Sequence, residues 1–330
     1  MKKENILFSI IIPVRQSNPY LEETKEKLKE QTFKNFELLV IDDTVSGSAN
    51  PAKKRNIGAK KAKGDYLVFL DDDSYPHHNH LKNIARLIKK HPDYAAFCGP
   101  SLTPKKDNCF QKASGLVWSS FIGSGGAGSY RNGIQSARFV DDYPSVNLTV
   151  KKDDFNKIGG FKISYWPGED TLLCLDLTEK LKKKIYYHPS IRVYHHRRSV
   201  IIPHLQQITR YAIHRGLFAR KFPKNSLKIG YFIPTLFFFY LLFLIINSLV
   251  LKENIPFITL PLYLYISILI TTFLKFLFDN EPLLASFLAI ITIPITHLYY
   301  GILFLHGLFK KDIKFKAHKV DSKTGKYIGG

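Results

Sequence analysis

The sequence predicts an α/β fold, a mixed and mainly parallel sheet with flanking helices, followed by helices that cross a membrane. Three observations carry this. Over the first hundred residues, short apolar runs alternate with charged, helix-like segments, the rhythm of β-α-β units. Two of those runs end in acids, Asp42-Asp43 and Asp71-Asp72-Asp73, and ligands of open parallel sheets sit at the carboxyl ends of strands. From about Ile229 the chain turns apolar: residues 231–251, 255–274 and 282–309 carry no charge. Each is near the roughly 20 residues that span a bilayer.

Strands are expected at 8–14, 36–41, 66–70 and 95–99, and helices at 20–30, 52–63 and 80–90. Residues 110–145 read as irregular, 146–200 as mixed helix and strand, and 203–228 as a basic connector to the apolar part. Within the irregular stretch, "GSGGAG" has the spacing of a dinucleotide fingerprint but does not follow the first strand, and a mobile loop beside the active site is the better reading. Histidines 77, 78 and 80 have poor ligand spacing and are expected at an exposed helix start.

With 330 residues and 45% hydrophobic content, the chain can bury a sizeable core. Its formal charge of +21 is compatible with nucleic acid, an anionic membrane or a phosphorylated substrate. Only nine of the 48 Lys and Arg residues follow Gly230, so the basic character belongs to the first two thirds. No DNA-binding helix motif or RNA-binding aromatic signature is visible, and nucleic acid is not an expected partner. Cys98, Cys109 and Cys174 lack metal or redox spacing and suit a reducing, cytoplasmic setting. The charged start leads into a short apolar run and Pro13, which does not read as a signal peptide. Three crossings would put the basic tail opposite the basic N-terminal part, against the positive-inside tendency. The last apolar segment, with Pro294, His297 and His306 inside it, is therefore the candidate for a re-entrant one.

Three consecutive carboxylates at the end of an apolar strand repel one another unless a cation neutralises them or bulk water surrounds them. "FSIIIPVRQSNPYLEETKEKLKEQTFKNFELLVIDD" followed by "KKRNIGAKKAKGDYLVFLDDDSYP" resembles the N-terminal half of a family 2 glycosyltransferase of the GT-A fold, over roughly residues 7–220. The resemblance implies a nucleotide-diphospho-sugar transferase domain at 1–202, an interfacial connector helix at 203–228, a membrane domain of about three helices at 229–309 and a basic polar tail at 310–330.

It also implies roles. Asp42 and Asp43 would contact base and ribose, although taken alone such acids read rather as a solvated turn or a helix cap. Pro13 and Arg15 would lie against the nucleotide, and Arg55 and Asn56 would face the same pocket, Arg55 offering a planar fork to phosphate or base. Asp71 and Asp73 match the D-x-D motif for Mn²⁺ or Mg²⁺, a hard cation that oxygen ligands and a diphosphate both favour. Asp72, between them, points elsewhere in the turn on the donor side. In "YWPGEDTLLCLDL", Asp170 would be the general base and Glu169 would orient acceptor or loop, with helix capping as the plain alternative. Trp166 would stack on a sugar or pack as an ordinary core or membrane-edge residue.

In "YHHRRS", His195 is the favoured metal ligand and His196 the second choice, while Arg197 and Arg198 would meet diphosphate or an anionic headgroup. Gln207, Arg210 and Tyr211 approach the Q-x-x-R-W signature of membrane-embedded polysaccharide synthases, with Tyr in place of Trp; ordinary helix surface is the alternative. Asn147 opens an N-L-T sequon, which a cytoplasmic domain would leave unmodified.

The reading that follows is an inverting glycosyltransferase of the cell membrane, multi-pass, with its catalytic domain in the cytoplasm. Its expected partners are a nucleotide-sugar donor, a lipid-linked or glycan acceptor and membrane lipids, and it can act as an oligomer. A processive polysaccharide synthase and a non-catalytic basic membrane scaffold are the alternatives.

Overall fold

The computed structural model describes residues 7–126, 128–253, 255–312, 319–320 and 327–328. The charged start, Ala127 of the glycine run, Asn254 and most of the basic tail lie outside the described residues.

The chain runs β1 (Phe8–Pro13), α1 (Pro19–Lys29), β2 (Phe36–Ile41), α2 (Asp43–Ser46), α3 (Pro51–Lys61), β3 (Tyr66–Leu70), β4 (Ser74–Pro76), α4 (His80–Lys90), β5 (Ala96–Cys98) and β6 (Ser101–Leu102). It continues through α5 (Cys109–Ser119), α6 (Ser129–Asn132), β7 (Arg138–Val140), β8 (Asn147–Lys151), α7 (Lys152–Lys157), α8 (Glu169–Leu175), β9 (Ile185–Tyr187) and β10 (Val193–His195). Five helices follow: α9 (Ile202–Lys221), α10 (Pro223–Ser226), α11 (Ile229–Ile246), α12 (Leu260–Phe278) and α13 (Leu283–Phe309). The chain divides into two compact units, one built from residues 1–102, 134–195 and 313–330, the other from 103–133 and 196–312.

The first unit holds a seven-stranded sheet in the order β2-β1-β3-β8-β5-β9-β7. β1 is parallel to both β2 and β3, and β5 to β9. β8 runs antiparallel between β3 and β5, and β7 antiparallel to β9, so the sheet is mixed. Both faces of β1 are covered, which is why it reads as an apolar run broken only by the buried Ser9. Ile10, Ile12 and Val14 pack with Leu21 and Leu28 of α1 and with Leu81, Ile84 and Leu87 of α4. On the other face α3 comes so close that a Cβ on Gly58 would meet the Ile11 side chain, so glycine sets that distance. Asn18 caps α1 by accepting from Leu21 N, and Asn50 caps α3 by accepting from Ala52 N.

Asn147 of the sequon is buried. Its amide donates to the carbonyls of Gly99 and Ile191, holding β8 to the neighbouring loops. His80 is also buried, not exposed as expected: it opens α4 with its Nδ1 3.1 Å from Arg192 O.

In the second unit, α5 lies with the C-terminal helices. Ala113, Leu116 and Val117 share a core with Val200, Phe276, Ala285, Ala289 and Ile293. Three helices are long and apolar enough to cross a membrane: Ile229–Leu251 with 23 residues, Leu260–Phe278 with 19 and Leu283–Phe309 with 27. The last is one continuous helix of about 40 Å at 1.5 Å per residue, not a re-entrant hairpin. Its Gly301 and Gly307 admit backbone on two sides, since a Cβ would strike the Pro234 carbonyl at the first and the Ile213 carbonyl at the second. Thr235 Oγ1 donates to Gly301 O at 2.8 Å. His297 lies between Tyr265 OH and Ile122 O, 2.9 Å from each. The glycine run forms a turn after α5, with Gly125 and Gly126 at φ 61° and 70°, and opens no β-α unit.

Candidate active site

The D-x-D turn is set by a short hydrogen-bonded loop and a strand pair. Ser74 Oγ donates to Asp71 O and accepts from Asp71 N, at 2.9 and 3.1 Å, which closes the turn at the end of β3. β4 then pairs antiparallel with β10 in the register His195↔Ser74. That register delivers the imidazole to the turn: His195 Nε2 lies 3.1 Å from Asp73 Oδ1. One ligand atom from each of Asp71, Asp73 and His195 falls within 4.8 Å of the others.

Two carboxylates and one imidazole on partly exposed side chains form a donor set that suits Mn²⁺ or Mg²⁺. Asp72 turns away and accepts from Asn18 Nδ2 at 2.8 Å. Burial first, then the charges of Asp73 and Asp71, push its carboxyl up to about 6. That crowding of negative charge is what a cation would relieve.

Arg55 joins this turn to α8. From α3, its Nη2 donates to Asp71 Oδ1 at 2.7 Å and its Nη1 to Glu169 Oε1 at 2.9 Å, and the guanidinium lies 5.6 Å from the centre of the Phe161 ring. Burial opposes its charge, but Asp71 and Glu169 outweigh burial and raise its pKa. The fork expected to face phosphate or base is thus directed at two carboxylates of the protein. Glu169 is buried and also accepts from Gly168 N. Burial and the adjacent Asp170 push its carboxyl up to about 7, against the pull of Arg55. Asp170 is half-buried; Thr171 N donates to its Oδ1 at 2.8 Å and Ser145 N to its Oδ2 at 3.4 Å. Both acids lie in the first turn of α8, whose N-cap is Gly168.

Other expected residues separate into open and internal ones. Asp42 caps α2, accepting from Val45 N at 2.7 Å and Thr44 Oγ1 at 2.6 Å. Burial raises its pKa, but these bonds outweigh burial and leave it lowered. Asp43 is buried and paired with Lys54, whose Nζ also donates to Val14 O at 2.6 Å. Of the acid pair, only Asp42 is open to a ligand. Pro13 is buried at the end of β1, and Arg15 is exposed just beyond it. Asn56, expected to face the pocket, instead donates to Phe161 O and accepts from Phe161 N, at 2.8 and 2.9 Å, which pins the loop before α8. Trp166 lies half-buried in that loop.

His196 is not part of the ligand set: in the second unit it is buried with its Nδ1 2.5 Å from Asp107 Oδ1. Arg197 is buried there too, its Nε donating to Thr103 Oγ1, while Arg198 is exposed. Gln207, Arg210 and Tyr211 lie on α9 of that unit, with Gln207 Nε2 donating to Tyr211 OH at 3.3 Å.

Two contributors were not foreseen. Lys54 reads as one of many surface lysines, yet it is buried and ties the Asp42-Asp43 loop to the end of β1. Asp142 is buried and accepts from Thr171 Oγ1 at 2.9 Å, beside the candidate base. No sequence signal separates either from its neighbours.

The model of the glycosyl transferase family group 2 matches residues 66–302, and that of glycosyl transferase family 2 matches residues 9–54. The chain belongs to the family 2 group of glycosyl transferases. An uncharacterized glycosyltransferase of Haemophilus influenzae is 24% identical over 193 residues, 53% of this chain and 63% of that protein. A poly(ribitol-phosphate) β-N-acetylglucosaminyltransferase of Staphylococcus aureus is 29% identical over 109 residues, 26% of this chain and 19% of its own. Both matches thus cover less than two thirds of the relative. Among solved structures, a mannosyltransferase from Pyrobaculum calidifontis in complex with GDP-Man and Mn²⁺ superposes with a TM-score of 0.52 at 14% identity, over 92% of this chain and 88% of that one. The GT-A glycosyltransferase fold of this family 2 member is therefore established by family model and architecture together.

Proposed function

We propose that the chain is a membrane-bound inverting glycosyltransferase that moves a sugar from a nucleotide-diphosphate donor to a lipid-linked or polysaccharide acceptor. The observation that carries this is the bridge made by Arg55, which ties the D-x-D turn to the Glu169-Asp170 helix within one unit. Asp71, Asp73 and His195 are the residues that would hold Mn²⁺ or Mg²⁺, which when bound supplies positive charge beside a departing diphosphate. The mannosyltransferase of similar fold was solved with Mn²⁺, which supports the choice of cation.

In this reading Asp42 and Arg15 face the nucleotide. Asp170 takes the proton from the acceptor hydroxyl, whose oxygen attacks the anomeric carbon as the bond to the diphosphate breaks. Its two backbone donors hold the carboxylate in position without neutralising it. Glu169, fixed by Arg55, orients the first turn of α8. The three long apolar helices support a multi-pass placement in the cell membrane; the cytoplasmic side for the catalytic unit is part of the proposal.

The test is nucleotide release and sugar transfer by the detergent-purified protein, with Mn²⁺ or Mg²⁺, across UDP, GDP and dTDP sugars, with and without polyprenyl phosphate. Metal-dependent release of one nucleotide is the expected result. Silence across the panel, with no nucleotide binding by calorimetry, overturns the assignment.

A further inference from the structure

In the second unit, three polar side chains from three helices meet inside an otherwise apolar cluster. Tyr231, in the first turn of α11, is buried with Ala219 and Phe304, and Phe232, Tyr300 and Leu308 pack against them. The Arg215 guanidinium of α9 lies 5.0 Å from the centre of the Tyr231 ring. Tyr300 of α13 packs against the same cluster. The hydroxyls of Tyr231 and Tyr300 are both buried, and neither has a hydrogen-bond partner among the described residues.

A phenol hydroxyl is normally satisfied when buried, because removing it from water without a partner is costly. Two such hydroxyls beside one guanidinium are two neutral donors and one planar cationic donor with the same preference, an oxyanion. Phosphate fits best, since Arg bonds its tetrahedral oxygens in pairs and hydroxyl donors serve those that remain. The setting adds to this. α11 is 18 residues long, no side chain among the described residues caps its N-terminus, and Tyr231 sits in that first turn, where the helix dipole favours negative charge. α11 is also the first helix able to cross a membrane, so its N-terminus falls at an end of an apolar span, the depth of a lipid headgroup.

We propose that Arg215, Tyr231 and Tyr300 form a binding site for a phosphate group, separate from the Asp71, Asp73 and His195 cluster. The phosphate can come from a membrane lipid or from inorganic phosphate, and both present the same oxygens to the same three side chains. The site is defined by binding alone and stands whether or not the transfer chemistry proposed above is correct.

The test uses the full chain in nanodiscs of phosphatidylcholine, without donor or divalent cation. Phosphatidylglycerol, polyprenyl phosphate and inorganic phosphate are offered separately. Binding is read by native mass spectrometry of retained lipid and by the shift of the thermal midpoint. The wild-type chain is expected to bind at least one of the three and to unfold at higher temperature with it; the probe that binds names the source. Arg215→Gln should weaken that binding at least tenfold. The doubly substituted Tyr231→Phe/Tyr300→Phe chain, which keeps both rings and therefore the packing, should weaken it several-fold. The proposal is overturned if the wild-type chain binds none of the three, or if the double substitution leaves binding unchanged.

Discussion

Nη1 of Arg55 lies 2.9 Å from Oε1 of Glu169, and the other arm of the same guanidinium reaches Asp71. One buried cation thus sets the spacing between the candidate metal turn and the candidate base helix. An ammonium cannot hold both carboxylates in that fixed geometry. Arg55→Lys should therefore lose one charge-assisted hydrogen bond, roughly 1.5–3 kcal/mol, and slow transfer by about tenfold or more. Arg55→Leu strands the buried Glu169 and should cost stability on the order of 3 kcal/mol, as when one member of a buried ion pair is removed. Transfer rates and thermal midpoints of both variants check this. An unchanged rate for Arg55→Lys would reduce the bridge to a structural tie.

The two adjacent histidines are expected to part company. His195 shares the 4.8 Å cluster with Asp71 and Asp73, whereas His196 is closed onto Asp107. His195→Gln should weaken Mn²⁺ binding, read by the loss of free-ion signal in electron paramagnetic resonance, with little change in thermal midpoint. His196→Gln should do the reverse, leaving Mn²⁺ affinity in place and lowering stability by roughly 1.5–3 kcal/mol, because it disturbs a hydrogen bond to a buried carboxylate. The opposite pattern would transfer the ligand role to His196.

These contrasts show which features were visible in the chain and which were not. β1, β2, β3 and α4 fall within a residue or so of the expected spans, because long apolar runs and helix caps are local signals. The D-x-D turn was visible because three like charges after a buried strand demand an explanation. The antiparallel β8 was not, since a strand buried on both faces carries no mark of its direction. Asn56 and His80 were misplaced, and Lys54 was passed over, for one shared reason. Each makes its bond to backbone or to an acid far along the chain, and a polar residue bonded that way looks in sequence like any surface residue. The packing of α5 against the C-terminal helices likewise depends on contacts about 170 residues apart along the chain.

Asp170→Asn removes the candidate base while preserving an oxygen able to accept from Thr171 N or Ser145 N. Transfer should fall by at least about a hundredfold, the low end of what a positioned base contributes. Donor and Mn²⁺ affinities should stay near wild type, and single-turnover kinetics with a donor titration separate the two. Asp142→Asn, which can still accept from Thr171 Oγ1, serves as the control and should remain close to wild type. Loss of donor affinity in Asp170→Asn would assign the residue to the donor pocket.

Acid stability should carry the signature of His80. The ring is buried, its Nδ1 donates to Arg192 O, and its Nε2 has no hydrogen-bond partner among the described residues, so the native state holds the neutral form. Burial pushes its pKa down to about 4 from an ordinary 6.5. Between those values the unfolded chain binds a proton that the folded chain does not, so stability falls as pH drops from 6.5 towards 4 and is fully present above 6.5. The full effect is about 3 kcal/mol. His204 is likewise pushed down to about 4 by burial and adds a loss of the same sign, so the contribution of His80 must be read as a difference. His80→Gln keeps an N–H for Arg192 O but has no proton to gain. Its thermal midpoint should drop less than that of the wild type between pH 7 and pH 5. Parallel drops in the two proteins would mean that His80 is already protonated in the folded state.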